Sequence, residues 1–183
     1  MRRLVCWGLL ALLWPTAAAA QAPEPGTVIN REYDLKAVFL YKFTYYVRWP
    51  ATALPADEPF VIGVLGRDPF GDVLDRIAAT QKAEGRKIVI HRWRSVEELG
   101  ACHILFLPRT LAAEQLPAAL TAARNRNVLL VGETPEFCRH GGVIGFFIAD
   151  NNLRVEVNLA AAKREQLTIN SGLLKLAKVS GNE

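Results

Sequence analysis

The sequence predicts an α/β protein: a mostly parallel sheet covered by helices on both faces, ending in an antiparallel β-hairpin and a C-terminal helix. Four short apolar runs between residues 60 and 131 alternate with helical patterns, and this alternation indicates a parallel sheet with right-handed crossovers. The runs are apolar at nearly every position, as is typical of strands buried on both faces. After residue 142, two strand-like segments flank the turn-forming residues 150–152, which predicts a hairpin.

The first twenty residues have the layout of a secretory signal peptide. Arg2 and Arg3 precede an apolar run that ends at Trp14, and small residues follow. Cleavage is expected between Ala20 and Gln21, with Ala22–Pro23 as the alternative. The apolar run is too short to cross a bilayer as a helix, which takes about 20 residues. We therefore expect export to the periplasm and cleavage of the signal, with a retained membrane anchor as the less favoured alternative.

The mature chain is expected to begin with a flexible Pro- and Gly-rich leader, residues 21–29, and to continue as one domain over residues 30–183. A domain of this length can bury a substantial core. Without Arg2 and Arg3, the 22 basic residues become 20 against 18 acidic ones, so the mature chain is close to neutral. The mature sequence has no basic stripe of the kind that indicates nucleic-acid binding. No later segment is apolar for long enough to span a membrane.

The first element of the domain is predicted to be a helix, because apolar residues recur every three or four positions between residues 35 and 47. Asn30 is the predicted N-cap, and Pro50 ends the pattern because a proline disfavours helical conformation in the residue before it. Strands are predicted at 60–65, 87–92, 103–107 and 128–131. Helices are predicted after Pro69, from a capping box at 95–98, and over 111–123.

The C-terminal third is predicted to hold the hairpin strands 143–149 and 153–158, a short helix near 160–165, and a terminal helix that includes Leu173, Leu174, Leu176 and Ala177. The second hairpin strand alternates polar and apolar residues. Its polar residues Arg154, Glu156 and Asn158 share one face, and the two valines between them share the other. This polar row is typical of a solvated edge strand, and the alternative is a recognition row for another protein.

Three features could carry chemistry. Glycines between residues 63 and 71 lie where backbone N–H groups could bind a small anion beside Arg67, but their spacing matches no nucleotide-binding motif and is typical of a tight turn. Cys138 and His140 share one loop, yet no second pair of ligands has zinc-like spacing. No arrangement of Ser, Cys and His indicates a nucleophile. We therefore expect no cofactor, no metal and no catalytic residue.

Two cysteines remain in the mature chain, and the periplasm permits a disulfide between them. Cys102 lies at the start of the third predicted strand, and Cys138 lies beyond the end of the fourth. If these strands are parallel neighbours, the two sulfurs lie at opposite ends of the sheet, whereas a bridge needs Cα atoms within about 7 Å. This geometry argues against a disulfide within one chain.

The ordered set of motifs resembles the YfiR-like (HmsC-like) family of periplasmic proteins. No single motif is diagnostic, but together they cover most of the mature chain in order. The matching segments are 33–43 (YDLKAVFLYKF), 48–50 (RWP), 62–66 (IGVLG), 68–70 (DPF), 102–106 (CHILF), 128–132 (VLLVG), 141–144 (GGVI), 155–158 (VEVN) and 173–177 (LLKLA).

The resemblance implies regulation rather than catalysis. Such proteins bind the periplasmic sensor region of an inner-membrane diguanylate cyclase and hold it inactive. An OmpA-like outer-membrane lipoprotein can sequester them, which raises cyclic di-GMP and promotes biofilm formation. The resemblance also implies a homodimer. On the family pattern, Glu156 and the hairpin around Ile144 are the expected partner contacts, and Arg154 and Asn158 lie on the same strand as Glu156.

Two expectations compete with or qualify this role. The chain is alternatively a periplasmic small-ligand-binding sensor module that uses the turn at 66–71 or a pocket near the first helix, and hydrolysis ranks third. In the best-known member, cysteines matching Cys102 and Cys138 each pair with a different cysteine, and both of those partners are absent here. The resemblance therefore agrees with free thiols, or with an intermolecular disulfide.

Overall fold

The computed structural model describes residues 25–55 and 57–181. Its α-helices there are α1 (Pro25–Tyr46), α2 (Val73–Thr80), α3 (Gln115–Ala122), α4 (Leu159–Arg164) and α5 (Ser171–Leu174). Its strands are β1 (Val47–Arg48), β2 (Phe60–Leu65), β3 (Lys82–Ala83), β4 (Arg86–Trp93), β5 (Ile104–Leu107), β6 (Leu129–Gly132), β7 (Ile144–Ala149), β8 (Asn152–Asn158), β9 (Thr168–Ile169) and β10 (Lys178–Ser180). Two 3-10 turns, Ala51–Ala53 and Val96–Glu98, lie between them.

The main sheet confirms the predicted fold class. Eight strands lie in the order β10-β8-β7-β6-β5-β2-β4-β3, and β4, β2, β5, β6 and β7 all run parallel. The predicted hairpin is the antiparallel pair β7–β8. Short β3 pairs antiparallel with β4 at one edge, and β10 pairs parallel with β8 at the other. β1 and β9 form a separate two-stranded sheet.

Helices cover both faces of the sheet, as predicted. The chain crosses from β2 to β4 in one direction and from β5 to β6 in the other, so right-handed crossovers place α2 and α3 on opposite faces. The long helix α1 lies on the α2 face, where Tyr41 donates a hydrogen bond to Gln81 at 2.8 Å. The α1 residue Phe43 stacks on Phe146 of β7, with 5.9 Å between ring centroids.

The N-terminal expectations are only partly covered by the described residues. The predicted signal peptide and residues 21–24 of the predicted leader lie outside them, whereas residues 25–29 form the first turns of α1. Asn30 is therefore inside the helix and is not its N-cap. Among residues 25–55 and 57–181, no helix combines the length and the apolar character needed to cross a bilayer.

Further boundaries differ from the prediction. The helix predicted over 111–123 begins at Gln115, and the predicted capping box at 95–98 holds only a 3-10 turn, in which Ser95 makes no side-chain cap bond. α1 ends at Tyr46, before Pro50, because Val47 already pairs with Ile169 and the Tyr46 carbonyl accepts a hydrogen bond from the Asn170 N–H at 2.8 Å. α2 begins at Val73 rather than beside Pro69. The intervening segment is held instead by a local turn, in which the Asp68 carboxylate accepts from the Phe70 N–H at 2.7 Å.

The C-terminus ends in a strand rather than in the predicted longer helix. α5 is a single turn ending at Leu174, and Leu176 is exposed. The chain then continues as β10, whose three residues pair in register with Glu156, Val157 and Asn158 of β8. β8 is therefore an internal strand, and the predicted solvated edge strand is wrong. The sequence of β10 does not predict a strand, because Val179 is its single apolar residue. It forms a strand because it pairs with β8.

A single aromatic ring fills the space left by two glycines beside the end of β6. Phe137 is buried in the loop between β6 and β7. A Cβ added at Gly132 would lie 2.5 Å from its ring, and one added at Gly142 would come closer still. The two glycines therefore leave the space that the ring occupies, so the loop from residue 133 to 141 is packed tightly onto the sheet. This loop forms one wall of the site described next.

Candidate functional site

The predicted alternation of β8 is confirmed. Val155 and Val157 are buried on the face that α1 covers, because Val155 pairs with Phe146 and Val157 pairs with Ile144. The polar residues that alternate with these valines, including Glu156, lie on the opposite face, where Glu156 is paired in register with Gly145. Glycine at this position leaves the carboxylate without a neighbouring side chain on β7. Glu156 thus lies at the open part of the second face.

Glu156 and Lys178 form an ion pair across β8 and β10. The Glu156 Oε2 and Lys178 Nζ atoms lie 3.1 Å apart, and the two side chains are 18% and 64% exposed. The Lys178 end of the pair is open to water, which screens the attraction, whereas most of the Glu156 side chain is covered. The exposed part of the carboxylate is the part that a cationic group on another protein could reach.

A groove runs beside Glu156, between the loop after β6 and the end of β7. It encloses about 310 Å³ and is lined by residues 133–138, residues 145–148 and Glu156. Phe147 and Ile148 are exposed at its rim. An apolar patch bordered by charged residues is the usual composition of a protein–protein interface, so the groove has the composition of a partner-binding surface.

The structure divides the four predicted partner-binding residues into two pairs. Glu156 is reachable from solvent and Arg154 is exposed, opposite Phe147 in the β7–β8 register. Ile144 is completely buried. Both polar atoms of the Asn158 side chain form hydrogen bonds within the chain. Its Oδ1 accepts from the Ala161 N–H at 2.9 Å, and its Nδ2 donates to the Cys138 carbonyl at 2.7 Å. Their roles in partner binding stay predictions.

Both described cysteines are free thiols. β5 and β6 are parallel neighbours, so the predicted placement is confirmed: Cys102 lies before β5 and Cys138 lies after β6. Burial raises the pKa of Cys138 to about 12, and the nearby Glu156 charge adds to this effect. Burial likewise raises the pKa of Cys102 to about 12. Both thiols are therefore protonated at neutral pH and are weak nucleophiles.

A buried ionic cluster, which the sequence did not predict, lies at the carboxyl ends of β5 and β6. Lys36 of α1 is 1% exposed and contacts both Glu32 and Glu133. Glu133 follows β6 directly, and it accepts hydrogen bonds from the Tyr33 hydroxyl at 3.0 Å and from the Arg109 N–H at 2.8 Å. The cluster ties residues 32–36 of α1 to the sheet.

The pKa values in this cluster follow from burial and from the opposite charges. Burial opposes ionisation of Glu133, but hydrogen bonds from Lys36 and Arg109 outweigh it and hold the pKa of Glu133 below its usual range. Burial, reinforced by the Glu133 charge, raises the pKa of Tyr33 to about 12. The cluster borders a second cavity of about 270 Å³, which shares Glu133, Pro135 and residues 146–148 with the groove. One hint was present in the sequence: Lys36 falls between residues of the buried face of α1.

The turn at 66–71, the predicted alternative ligand site, borders a cavity of about 400 Å³ that Tyr33, Asp34 and Arg76 also line. Arg92 of β4 pairs with Asp68 at 2.5 Å and with Asp75 at 2.6 Å, so two carboxylates lie beside the turn that could have bound an anion. Within residues 25–55 and 57–181, no group of three or more His, Cys, Asp or Glu side chains is arranged to hold a metal ion.

His103 is a structural histidine that joins three segments. Its Nδ1 accepts from the Val61 N–H at 2.9 Å, and its Nε2 lies 2.9 Å from the Ala53 carbonyl, which it reaches as a donor. Its ring stacks on Phe60 with 4.6 Å between centroids. This pattern requires the neutral imidazole. Burial and the Arg86 charge lower the pKa of His103, although the Ala53 carbonyl and Glu58 oppose the shift.

We expect the free energy of unfolding to fall as the pH drops below about 6.5, the pKa of an unfolded histidine. The unfolded chain takes up a proton there that the folded His103 resists, so stability is fully present above this pH and is lost towards the lower folded pKa. The loss is at most about 1.4 kcal/mol per pH unit. Urea unfolding at pH 7.5 and 5.5 measures it.

The matched variants are His103→Asn, which keeps an acceptor but cannot be protonated, and His140→Asn at an exposed histidine. The pH dependence should shrink in the first variant and stay unchanged in the second. An unchanged pH dependence in His103→Asn contradicts the prediction.

Comparison with known proteins gives a family and a fold. A family model described as YfiR/HmsC-like matches residues 33–178. No curated protein matches the chain. Two solved structures are similar: a conserved domain protein from Vibrio cholerae O1 biovar El Tor (14% identity, TM-score 0.49, 65% of this chain) and an ABC domain in complex with L-Trp from Streptococcus pneumoniae (13%, 0.50, 66%). The chain spans only 54% and 55% of those two chains. The second likeness is one of fold alone.

Proposed function

This chain belongs to the YfiR/HmsC-like family of periplasmic regulators of diguanylate cyclase signalling, and we propose that it is a repressor that binds the periplasmic region of an inner-membrane cyclase. The family match over residues 33–178 carries this proposal. Repression requires tighter binding to the inactive than to the active conformation of the cyclase, since a ligand shifts an equilibrium only by its differential affinity. Binding then lowers cyclic di-GMP and biofilm formation.

The groove beside Glu156 is the surface that we propose for the cyclase. Two features support it: a partly exposed carboxylate on an internal strand, and the exposed apolar side chains Phe147 and Ile148 next to it. In this proposal Glu156 and Arg154 contact the partner directly. Ile144 and Asn158 act from below, because they hold β7 and the end of β8 in place.

Release of the cyclase is proposed to follow from competition. An OmpA-like outer-membrane lipoprotein that binds the repressor removes it from the cyclase, and the active conformation then becomes populated. We propose further that the repressor acts as a homodimer, so that each dimer has two grooves. Export through a cleaved signal peptide places it between the two membranes.

Deletion of the gene in the native host tests the function. The expected result is a rise in a cyclic di-GMP reporter and in biofilm, which the wild-type gene on a plasmid reverses. The same deletion in a strain that also lacks the cyclase should leave the reporter unchanged. An unchanged reporter signal in the first strain, with the cyclase present, would contradict the repressor hypothesis.

Charge reversal at Glu156 tests the site. We expect Glu156→Lys to fail to complement the deletion while it remains folded, because the Lys178 end of the broken ion pair is open to water and no aromatic or apolar core contact is removed. The double variant Glu156→Lys/Lys178→Glu restores the pair but leaves the charge reversed, and it should fail as well. Glu114→Lys, an exposed acid ahead of α3, is the matched control and should complement. Full repression by Glu156→Lys removes this residue from the interface.

A further inference from the structure

The outward side of α1 carries an apolar stripe that the described part of the chain leaves uncovered. Leu35, Val38 and Tyr45 are 45%, 42% and 60% exposed. An exposed stripe along one helix is the arrangement by which helices pack against a partner helix. The opposite side of α1 is already used, since Leu40 and Phe43 are buried against the sheet. A partner on the stripe therefore adds to the fold without rearranging it.

Three charged residues and the Tyr45 ring lie in a symmetric order about Val38. Asp34 and Lys42 lie four residues before and after it, and Arg31 and Tyr45 lie seven residues before and after it. All four are exposed. At about 100° per residue, all four point within roughly 40° of the Val38 direction. Asp34 forms no ion pair with any other described residue of the chain, so its charge is available to a partner.

We propose that two copies of this chain pair through antiparallel α1 helices, with the two-fold axis beside Val38. Antiparallel packing places Asp34 of one copy at the level of Lys42 of the other, and Arg31 at the level of the other Tyr45 ring. Each contact occurs twice, as in any isologous interface. The two Val38 side chains meet at the centre.

The charge order selects both the occupant and the direction. In a parallel pair, Asp34 would face a second Asp34, and Lys42 would face a second Lys42, and both contacts are repulsive. Antiparallel pairing instead makes two ion pairs and two cation–π contacts, of a type that already exists within one chain, where Lys42 Nζ lies 5.5 Å from the Tyr45 ring centroid. A second copy thus supplies the complementary surface.

This inference assigns a surface to the homodimer of the proposed function, but it does not depend on the cyclase. No residue of α1 lines the Glu156 groove, so the helix pairing uses none of the residues that form the groove. The two proposals have separate readouts. Mass measured in solution tests the dimer, and the cyclic di-GMP reporter tests repression.

Charge exchange tests the pairing. Size-exclusion chromatography with light scattering should find the mature wild-type chain as a dimer. Asp34→Lys alone, or Lys42→Asp alone, should weaken dimerisation by about tenfold or more, because each places two like-charged pairs in the interface. The double variant Asp34→Lys/Lys42→Asp should restore the dimer. Asp57→Lys, an exposed acid away from α1, is the control and should remain dimeric.

Cross-linking tests the position of the axis. In a Cys102→Ser/Cys138→Ser background, Val38→Cys should form an intermolecular disulfide on mild oxidation. Tyr45→Cys should not, because the two copies of residue 45 would be about 21 Å apart along the helices at 1.5 Å per residue. Circular dichroism confirms that each variant is folded. A monomeric wild-type chain, or a dimer that both single charge reversals leave unaffected, overturns the proposal.

Discussion

Glu133→Ala is expected to lower the free energy of unfolding by about 3 kcal/mol. The substitution removes the carboxylate that neutralises the buried Lys36 ammonium and accepts hydrogen bonds from Tyr33 and the Arg109 backbone. Glu32 alone remains to pair with Lys36, and it is only partly buried. Breaking one side of a buried ion pair costs more than the pair contributes, because the other charge stays desolvated. Urea unfolding followed by circular dichroism measures the loss.

A double-mutant cycle separates the ion pair from simple loss of packing. Lys36→Met should cost less than Glu133→Ala, since Arg109 still neutralises Glu133. Adding Lys36→Met to Glu133→Ala should recover part of the lost stability, because the Lys36 charge is then no longer buried without its main partner. Additive losses in the double variant would show that the two side chains are not coupled, and the prediction would be wrong.

Phe137→Ala is expected to cost about 3–5 kcal/mol, the range for truncating a buried phenylalanine in a core that cannot collapse. The site cannot collapse easily, because the ring fills space over Gly132 and Gly142 and these residues have no side chains to move into it. Phe147→Ala, which truncates an exposed phenylalanine on the next strand, is the matched control and should cost less than about 1 kcal/mol.

The glycines provide a second check on Phe137. Gly132→Ala should destabilise the wild-type protein, since the new Cβ would meet the ring, but it should be tolerated better in the Phe137→Ala background. Equal costs in both backgrounds contradict the packing explanation. Because Phe137 also holds the loop that walls the Glu156 groove, Phe137→Ala should weaken repression even at temperatures where the variant is folded.

The sequence predicted the parallel strands and the hairpin well because each is a local pattern. The apolar runs of β2, β5 and β6 need no partner to be recognised, and residues 150–152 mark the hairpin turn by their own turn chemistry. The face of Glu156 followed from the two-residue period of a strand. The placement of the two cysteines needed only the assumption that β5 and β6 are parallel neighbours.

Elements that depend on distant partners were missed. β10 is three residues long and forms because β8 offers it an edge, and the small β1–β9 sheet ends α1 before Pro50. α2 begins at Val73 and not at the predicted Pro69, because the Asp68 carboxylate accepts a hydrogen bond from the Phe70 N–H and holds this segment in a turn. At the candidate site, the sequence identified Glu156 but not its pairing with Lys178, nor that Ile144 is buried and Asn158 caps α4.

The sequence by itself determined the α/β class, the family and the polar face of β8, because periodicity and ordered motifs are properties of the chain alone. Only the tertiary structure decided that β8 is internal, that Phe137 walls a groove beside Glu156, and that Lys36 meets Glu133. These contacts join residues about 20 to 100 positions apart. Which residues meet across such separations depends on how helices and strands pack, and no local pattern encodes it.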